Sequence, residues 1–367
     1  MIETTIGRIA GGDDLSIEEA EATIDLVVAG RCSTQEIALL LTGLNLKGEA
    51  ASEVAGVARS LRRHMRPIRT DRQPLVDTCG TGGDGLSTFN ISTAAALVTA
   101  AAGVAVAKHG NRSVTSRSGS ADVLRELGVN IEADVPQVEA CLDELGIGFC
   151  FAPLLHPAMK AVAEVRRALG IPTIFNLVGP LANPAGAPFQ VVGVGRPERQ
   201  AVLAEALNLL GSQRAVVVCG DDGLDEVTLA GTTNVIEVGT TVTSQTNSSA
   251  TGDPVEAAAA TMATASFAAP SSHARRHRWY PRDFGLAPAP LDALRANNPA
   301  ESAALIRAVL AGESGPPRDV VVANAAAALW VAGAEPDLAA AAARAAEALD
   351  RGAARQLFER LVRRSHR

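Results

Sequence analysis

The chain is poor in aromatic side chains: two Trp, one Tyr and eight Phe make up 3% of its 367 residues. Its core must therefore be filled by aliphatic residues, with alanine supplying much of the apolar count, which favours finely packed helices. Cysteine is scarce too. The five (Cys32, Cys79, Cys141, Cys150, Cys219) are odd in number, scattered and without C-x-x-C spacing. That excludes a disulfide framework and a thiolate zinc site, and points to reduced thiols. Basic charge is in deficit, with 33 Lys and Arg against 40 Asp and Glu and a net charge of −7. A general nucleic-acid binder is thereby excluded, and any phosphate site has to be a local patch. Long apolar runs are missing. The longest uncharged apolar stretches, 93–107 and 320–334, fall short of the roughly 20 residues a spanning helix needs. The N-terminus has no basic region leading into an apolar run, so no signal peptide, no membrane and a cytoplasmic location are expected.

What is present suffices for one large or two moderate domains, with 47% apolar and 20% charged residues. Residues 1–70 read as helices. Ser16 with Glu18 and Glu19, and Ser33 with Glu36, mark helix starts. Leu39, Leu40, Leu41, Leu44 and Leu46 are expected to form a buried face. From residue 75 the pattern becomes strand–helix alternation. Leu75–Thr78, Val104–Ala107, Ile147–Phe151 and Val216–Cys219 are short apolar strands. Thr93–Ala102, Ala121–Leu127, Val135–Leu145 and Glu198–Leu210 are the helices between them. This predicts a layered α/β domain with a mostly parallel sheet and a ligand at the carboxyl ends of its strands. Pro157–Leu169 reads as a further helix, and 318–333 as a helix apolar nearly all round, hence buried.

The chemistry concentrates in Asp77-Thr-Cys-Gly-Thr-Gly-Gly-Asp-Gly85, Ser87-Thr-Phe-Asn-Ile-Ser-Thr93 and Lys108-His-Gly-Asn-Arg112. Glycines let backbone N–H groups approach phosphate oxygens, and a helix N-terminus adds unpaired donors and positive potential. Gly80, Gly82 and Gly85 also satisfy a dinucleotide fingerprint, but that fold needs an acid about 20 residues on to hold a ribose. From Gly85 through Ala121 there is no Asp or Glu, while Lys108, Arg112 and Arg117 fall inside this window. An acid-free, cation-bearing stretch suits a diphosphorylated ligand better than a nicotinamide dinucleotide.

With Lys108-His-Gly-Asn-Arg-Ser-Val114, Ser118-Gly-Ser-Ala-Asp122, Phe175-Asn-Leu-Val-Gly-Pro-Leu181, Asn183-Pro184 and Leu224-Asp-Glu226, these words closely resemble the anthranilate phosphoribosyltransferase family. The likeness runs from about residue 5 to about 350. It implies a small all-helical domain (1–72 plus about 157–185) and a larger α/β domain (about 73–156 plus 186–367) with a mostly parallel central sheet. The substrate cleft lies between them. It also implies a homodimer.

The implied reaction moves the phosphoribosyl group of 5-phosphoribosyl 1-diphosphate to the amine of anthranilate, in tryptophan biosynthesis. Negative charge grows on the leaving diphosphate, so metal and fixed donors are needed there and no covalent nucleophile is required. By resemblance, Gly80, Gly83, Asp84, Thr88, Asn90, Ile91, Ser92 and Thr93 line the diphosphate and ribose. Lys108, His109, Gly110, Asn111, Arg112, Ser113, Val114, Thr115 and Ser116 form a loop over the phosphates, and Ser120 adds a contact. Thr115 and Arg117 stand where the family often has Ser and Lys, keeping donor and charge. Anthranilate is expected at Gly80, His109, Asn111 and Arg166, with neighbouring Arg167 a surface charge. Mg²⁺ is expected at Asp225 and Glu226, with Ser92 helping to hold a second ion.

Two rivals share the architecture. A pyrimidine nucleoside phosphorylase is disfavoured by the Asp225-Glu226 pair and the full Lys108–Arg112 word. A nucleic-acid-binding relative is disfavoured by net negative charge and intact phosphate words. Ala, Ser and Thr dominate 240–272, so 239–274 is expected to be a mobile insertion. The Arg- and His-rich stretch that follows, His273–Trp279, is expected to be solvated charge.

Overall fold

The computed structural model describes residues 2–112, 118–239 and 274–367. The reading of 239–274 as an insertion therefore concerns residues that, apart from the two ends, lie outside those described.

Helices α1 (Ile2–Ala10), α2 (Ile17–Val28), α3 (Thr34–Lys47) and α4 (Ala51–His64) open the chain. Both Ser-x-x-Glu signals are real capping boxes. Ser33 N–H donates to Glu36 Oε2 at 2.7 Å, and Glu36 N–H returns to Ser33 Oγ at 3.3 Å. The leucine face of α3 is narrower than expected. Leu40, Leu41 and Leu44 are buried, but Leu39 and Leu46 are 58% and 79% exposed. At about 100° per residue, positions 39 and 46 fall on the side of the helix opposite the other three.

Then follow β1 (Leu75–Asp77), α5 (Ile91–Ala101), β2 (Ala105–Gly110), α6 (Ser120–Glu126), α7 (Val135–Leu145), β3 (Ile147–Phe151), α8 (Ala152–Leu155), α9 (Lys160–Leu169) and α10 (Phe175–Val178). Next come β4 (Phe189–Gly193), α11 (Pro197–Leu209), β5 (Arg214–Gly220), β6 (Thr233–Gly239) and β7 (Arg275–Trp279). Helices α12 (Pro299–Leu310), α13 (Pro316–Val331), α14 (Leu338–Asp350) and α15 (Ala353–Arg364) close the chain.

The strands form one seven-stranded sheet in the order β3-β2-β1-β4-β5-β6-β7. From β3 to β5 all neighbours are parallel, and β6 and β7 add an antiparallel edge. Strand β1 has β2 on one side and β4 on the other, so the chain reverses direction across the sheet there. Ligand crevices open at such a switch point. Strand residues alternate between two cores. Val191, Val216, Val218 and Val235 pack with α5 and α13. Val192, Val217, Ile236 and Val238 pack with α2, α4 and α11. Burial on both faces explains why these strands read as continuous apolar runs rather than alternating ones. Ala158, Val162, Val165 and Phe175, from the segment after β3, share the core of the N-terminal helices. Helix α13 is buried along almost its whole length, as its composition predicts.

Two segments differ from expectation. Strand β2 does not end at Ala107 but continues through Lys108, His109 and Gly110, which pair with Phe149, Cys150 and Phe151 of β3. Lys108 and His109 are therefore buried strand residues rather than part of the loop expected over the phosphates. The His273–Trp279 stretch is not merely solvated charge, because Arg275–Trp279 forms edge strand β7. One of its faces carries exposed arginines. The other turns His277 onto Glu237 at 2.8 Å and buries Trp279. No helix among the described residues is long and apolar enough to cross a membrane.

Candidate active site

A cavity of about 520 Å³ opens at the carboxyl ends of β1, β2 and β3. Its walls are backbone packed on backbone. Gly82, Gly83 and Gly85 adopt φ of 65°, 78° and 75°, which only glycine adopts freely. Thr81 N–H donates to the Gly193 carbonyl at 2.8 Å, tying the turn after β1 to the end of β4. Gly193 is required in turn by the loop behind it. A Cβ at that position would lie 1.6 Å from the Asp225 carbonyl oxygen.

One end of the cavity is built for anions. Asn90 is the N-cap of α5 but its side chain accepts from none of the helix's first N–H groups, the first turn holds no acid, and Ile91 and Ser92 line the wall. Lys108 Nζ is buried here, donating to the Thr78 carbonyl at 3.1 Å and to Ser92 Oγ at 3.3 Å. Asn90 is held from behind: its N–H donates to Ser302 Oγ at 2.9 Å, and Ser118 Oγ donates to Asn90 Oδ1 at 2.9 Å. Arg112 lies at the rim, 3.2 Å from Glu132 and half-exposed.

Facing this end are three carboxylates, Asp84, Asp225 and Glu226, all lining the cavity. Glu226 Oε1 accepts from Ser92 N–H at 3.0 Å. Burial, then the charges of Asp84 and Glu226, push Asp225 well above the ordinary carboxylate range. Burial pushes Glu226 up to about 7, against the pull of Lys108. Asp84 Oδ2 is buried with no hydrogen-bond partner among the described residues. Carboxylates crowded together in this way repel one another, and a bound cation would relieve that repulsion. Hard oxygen donors of this kind fit Mg²⁺.

The other end is lined by His109, Asn111, His156, Met159, Arg166, Phe175 and Asn176. Arg166 Nη2 is 3.5 Å from Asn176 Oδ1, and its guanidinium sits 5.6 Å from the Phe175 ring centre. No carboxylate among the described residues pairs with it, whereas Arg167 is exposed and outside the cavity.

Gly80, Gly83, Asp84, Thr88, Asn90, Ile91, Ser92, Lys108, His109, Gly110, Asn111, Arg112, Ser120, Arg166, Asp225 and Glu226 are thus brought to one cavity. Thr93 is not: it lies 1% exposed behind the wall, because its position on α5 turns it toward the core. Ser113, Val114, Thr115 and Ser116 lie outside the described residues. His156 and Ser302 were missed by the sequence reading. A lone histidine before a proline and a serine inside an amphipathic helix carry no spacing signal. Cys79 also lines the cavity, but burial pushes its thiol up to about 12, so it is no nucleophile.

Comparison with known proteins agrees with this geometry. The family model for the glycosyl transferase family helical bundle domain matches residues 3–65, and that for the a/b domain matches 72–262 and 248–355. The chain is 46% identical to the anthranilate phosphoribosyltransferase of Rhodopirellula baltica, over 97% of this chain and 95% of that one. The solved anthranilate phosphoribosyltransferase of Thermus thermophilus is 43% identical and superposes with a TM-score of 0.85, covering 99% of each chain. The Saccharomyces cerevisiae enzyme, solved in complex with PRPP and Mg, is 24% identical and has the same fold, with a TM-score of 0.80 over 96% of this chain and 94% of that one. With a glycine turn, a carboxylate cluster and Arg166 in one cavity, and with full-length relatives at this identity, the chain belongs to the anthranilate phosphoribosyltransferase family.

Proposed function

We propose that this chain transfers the phosphoribosyl group of 5-phosphoribosyl 1-diphosphate to the amine of anthranilate, giving N-(5-phosphoribosyl)anthranilate and diphosphate, in tryptophan biosynthesis. The observation that carries the reading is that one cavity holds a helix start and a buried lysine facing three carboxylates and, elsewhere in its wall, Arg166 beside Phe175 with no carboxylate partner among the described residues. Each end matches one substrate.

The start of α5, Lys108 and the glycine turn hold the diphosphate and ribose. Asp225 and Glu226, with Asp84 beside them and Ser92 helping to hold a second ion, are the residues that would hold Mg²⁺. When bound, the metal neutralises charge growing on the leaving diphosphate. Arg166 pairs the acceptor carboxylate, while Asn111, His109 and Gly80 orient the ring so that the amine faces C1. Removal of the amine proton needs no strong base, because an arylamine becomes strongly acidic once alkylated. The Mg and PRPP bound to the yeast relative support the same assignment.

On the same reading the small domain comprises 1–72 with about 157–185, and the large one 73–156 with 186–367. The protein acts as a cytoplasmic homodimer.

Anthranilate fluorescence tests the function. With phosphoribosyl diphosphate and Mg²⁺ present and enzyme added last, the signal should fall only when every component is there. An unchanged signal from folded protein that binds phosphoribosyl diphosphate would overturn the acceptor.

A further inference from the structure

We infer that Asn324, on α13 and outside the cavity, is a positioning residue for the Asp225–Glu226 pair. Asn324 is 2% exposed in a helix otherwise lined by Val, Ala and Leu. A buried amide is costly unless its hydrogen bonds are made. Here they are made, and to one target above all. Its Oδ1 accepts from Val227 N–H at 2.9 Å, and its Nδ2 donates to the Val227 carbonyl at 3.0 Å. The remaining amide proton goes to the Val320 carbonyl at 2.9 Å. Val227 directly follows Glu226. Gripping both backbone groups of one residue fixes the orientation of the peptide units on either side of it, including the one that carries Glu226.

The rest of the turn is built the same way. Asp222 accepts from Leu224 N–H at 3.1 Å and from Thr228 Oγ1 at 2.6 Å, closing the loop from the other side. Glu226 then reaches Ser92 N–H at the start of α5. Like-charged carboxylates repel, so without these ties the loop would open and separate the acids. A purely structural role, tying α13 to the sheet, would not single out the residue next to the acids.

The inference rests on the metal-holding role of Asp225 and Glu226 proposed above. Its test is Mn²⁺ binding followed by electron paramagnetic resonance, with phosphoribosyl diphosphate present and anthranilate absent. Three variants are compared with the wild type. Asn324→Ala removes every contact, Asn324→Asp keeps the acceptor for Val227 N–H, and Val331→Ala removes buried volume further along α13. Outer-layer partners of metal ligands typically change affinity by about 10–100-fold. Asn324→Ala should weaken Mn²⁺ at least tenfold, Asn324→Asp by a smaller factor, and Val331→Ala not at all, though it too melts earlier. The anthranilate KM should stay within twofold in all three.

Should Asn324→Ala fail to fold, Asn324→Asp decides. Wild-type affinity in the Asn324 variants, or an equal loss in Val331→Ala, overturns the inference alone. Failure of wild-type protein to bind Mn²⁺ would overturn the metal reading beneath it as well.

Discussion

His156 Nε2 lies 3.2 Å from His109 Nε2 in the wall of the cavity, and His109 Nδ1 lies 3.0 Å from the Gly179 carbonyl oxygen. A carbonyl only accepts, so His109 carries its proton on Nδ1. Its Nε2 then accepts from His156 Nε2–H. The relay fixes both tautomers and commits the His109 lone pair, which leaves His109 no free nitrogen with which to take a proton.

Both rings should stay neutral at physiological pH. Burial, then His156, pushes His109 down to about 3, and burial pushes His156 down to about 4. Their folded values lie below the unfolded 6.5, so the unfolded chain takes up protons first as pH falls. The stability this neutrality contributes is complete above about pH 6.5 and is lost progressively below it. Each histidine should cost about 2 kcal/mol between pH 7.5 and pH 5. In urea unfolding, His156→Phe should start less stable at pH 7.5 and lose about 2 kcal/mol less than wild type on going to pH 5. Equal pH losses in the two proteins would contradict the neutral pair.

The carboxylate cluster should trade stability for turnover. Asp225→Asn with Glu226→Gln removes crowded charge but keeps shape. At saturating Mg²⁺ the rate should drop at least about 100-fold, while the melting temperature stays level or rises. Wild-type rates in this double variant would remove the metal role.

Gly193→Ala should drive a methyl into the Asp225 carbonyl and displace the acid loop. Overpacking of this kind costs about 1–3 kcal/mol, and kcat should fall with it. Gly7, where an added Cβ meets nothing within 4 Å, is the control. Gly7→Ala, inside helix α1, should leave turnover unchanged and melting level or slightly raised, and a Gly193→Ala protein that behaves likewise would show that the loop is not wedged there.

Arg166→Gln should act on the acceptor alone. Losing a charged hydrogen bond of about 1.5–3 kcal/mol raises the anthranilate KM roughly 10–100-fold. The phosphoribosyl diphosphate KM should stay within twofold, and Arg167→Gln should change neither. Parallel losses for both substrates in Arg166→Gln would mean a collapsed cavity rather than a lost carboxylate contact.

Much of this was legible in order along the chain. The Ser-x-x-Glu caps, the glycine turn after β1 and the acid-free window are local signals, because capping, positive φ and charge balance act over a few residues. Strands β4 and β6 were missed, since buried strands carry no alternation to separate them from helix or loop. The extension of β2 through Lys108 and His109 was hidden for a related reason. Polar residues within a parallel strand look like loop until their neighbours are known.

The sequence by itself determined the glycine turn, the helix start and the cation on which the proposed phosphate site rests. Where glycine, hydroxyl and cation must stand is settled within single βα units, and the turn, the helix start and Lys108 follow one another in the chain. Only the tertiary structure decided the rest of the site. Arg166 and Glu226, legible only through the family resemblance, and His156, not legible at all, reach the cavity from segments far from the glycine turn, and Ser302 and Asn324 support it from helices near the C-terminus. Long-range pairing of this kind is set by the packing of two cores on the two faces of one sheet. No local pattern encodes which buried hydroxyl or amide will meet which backbone group across that sheet.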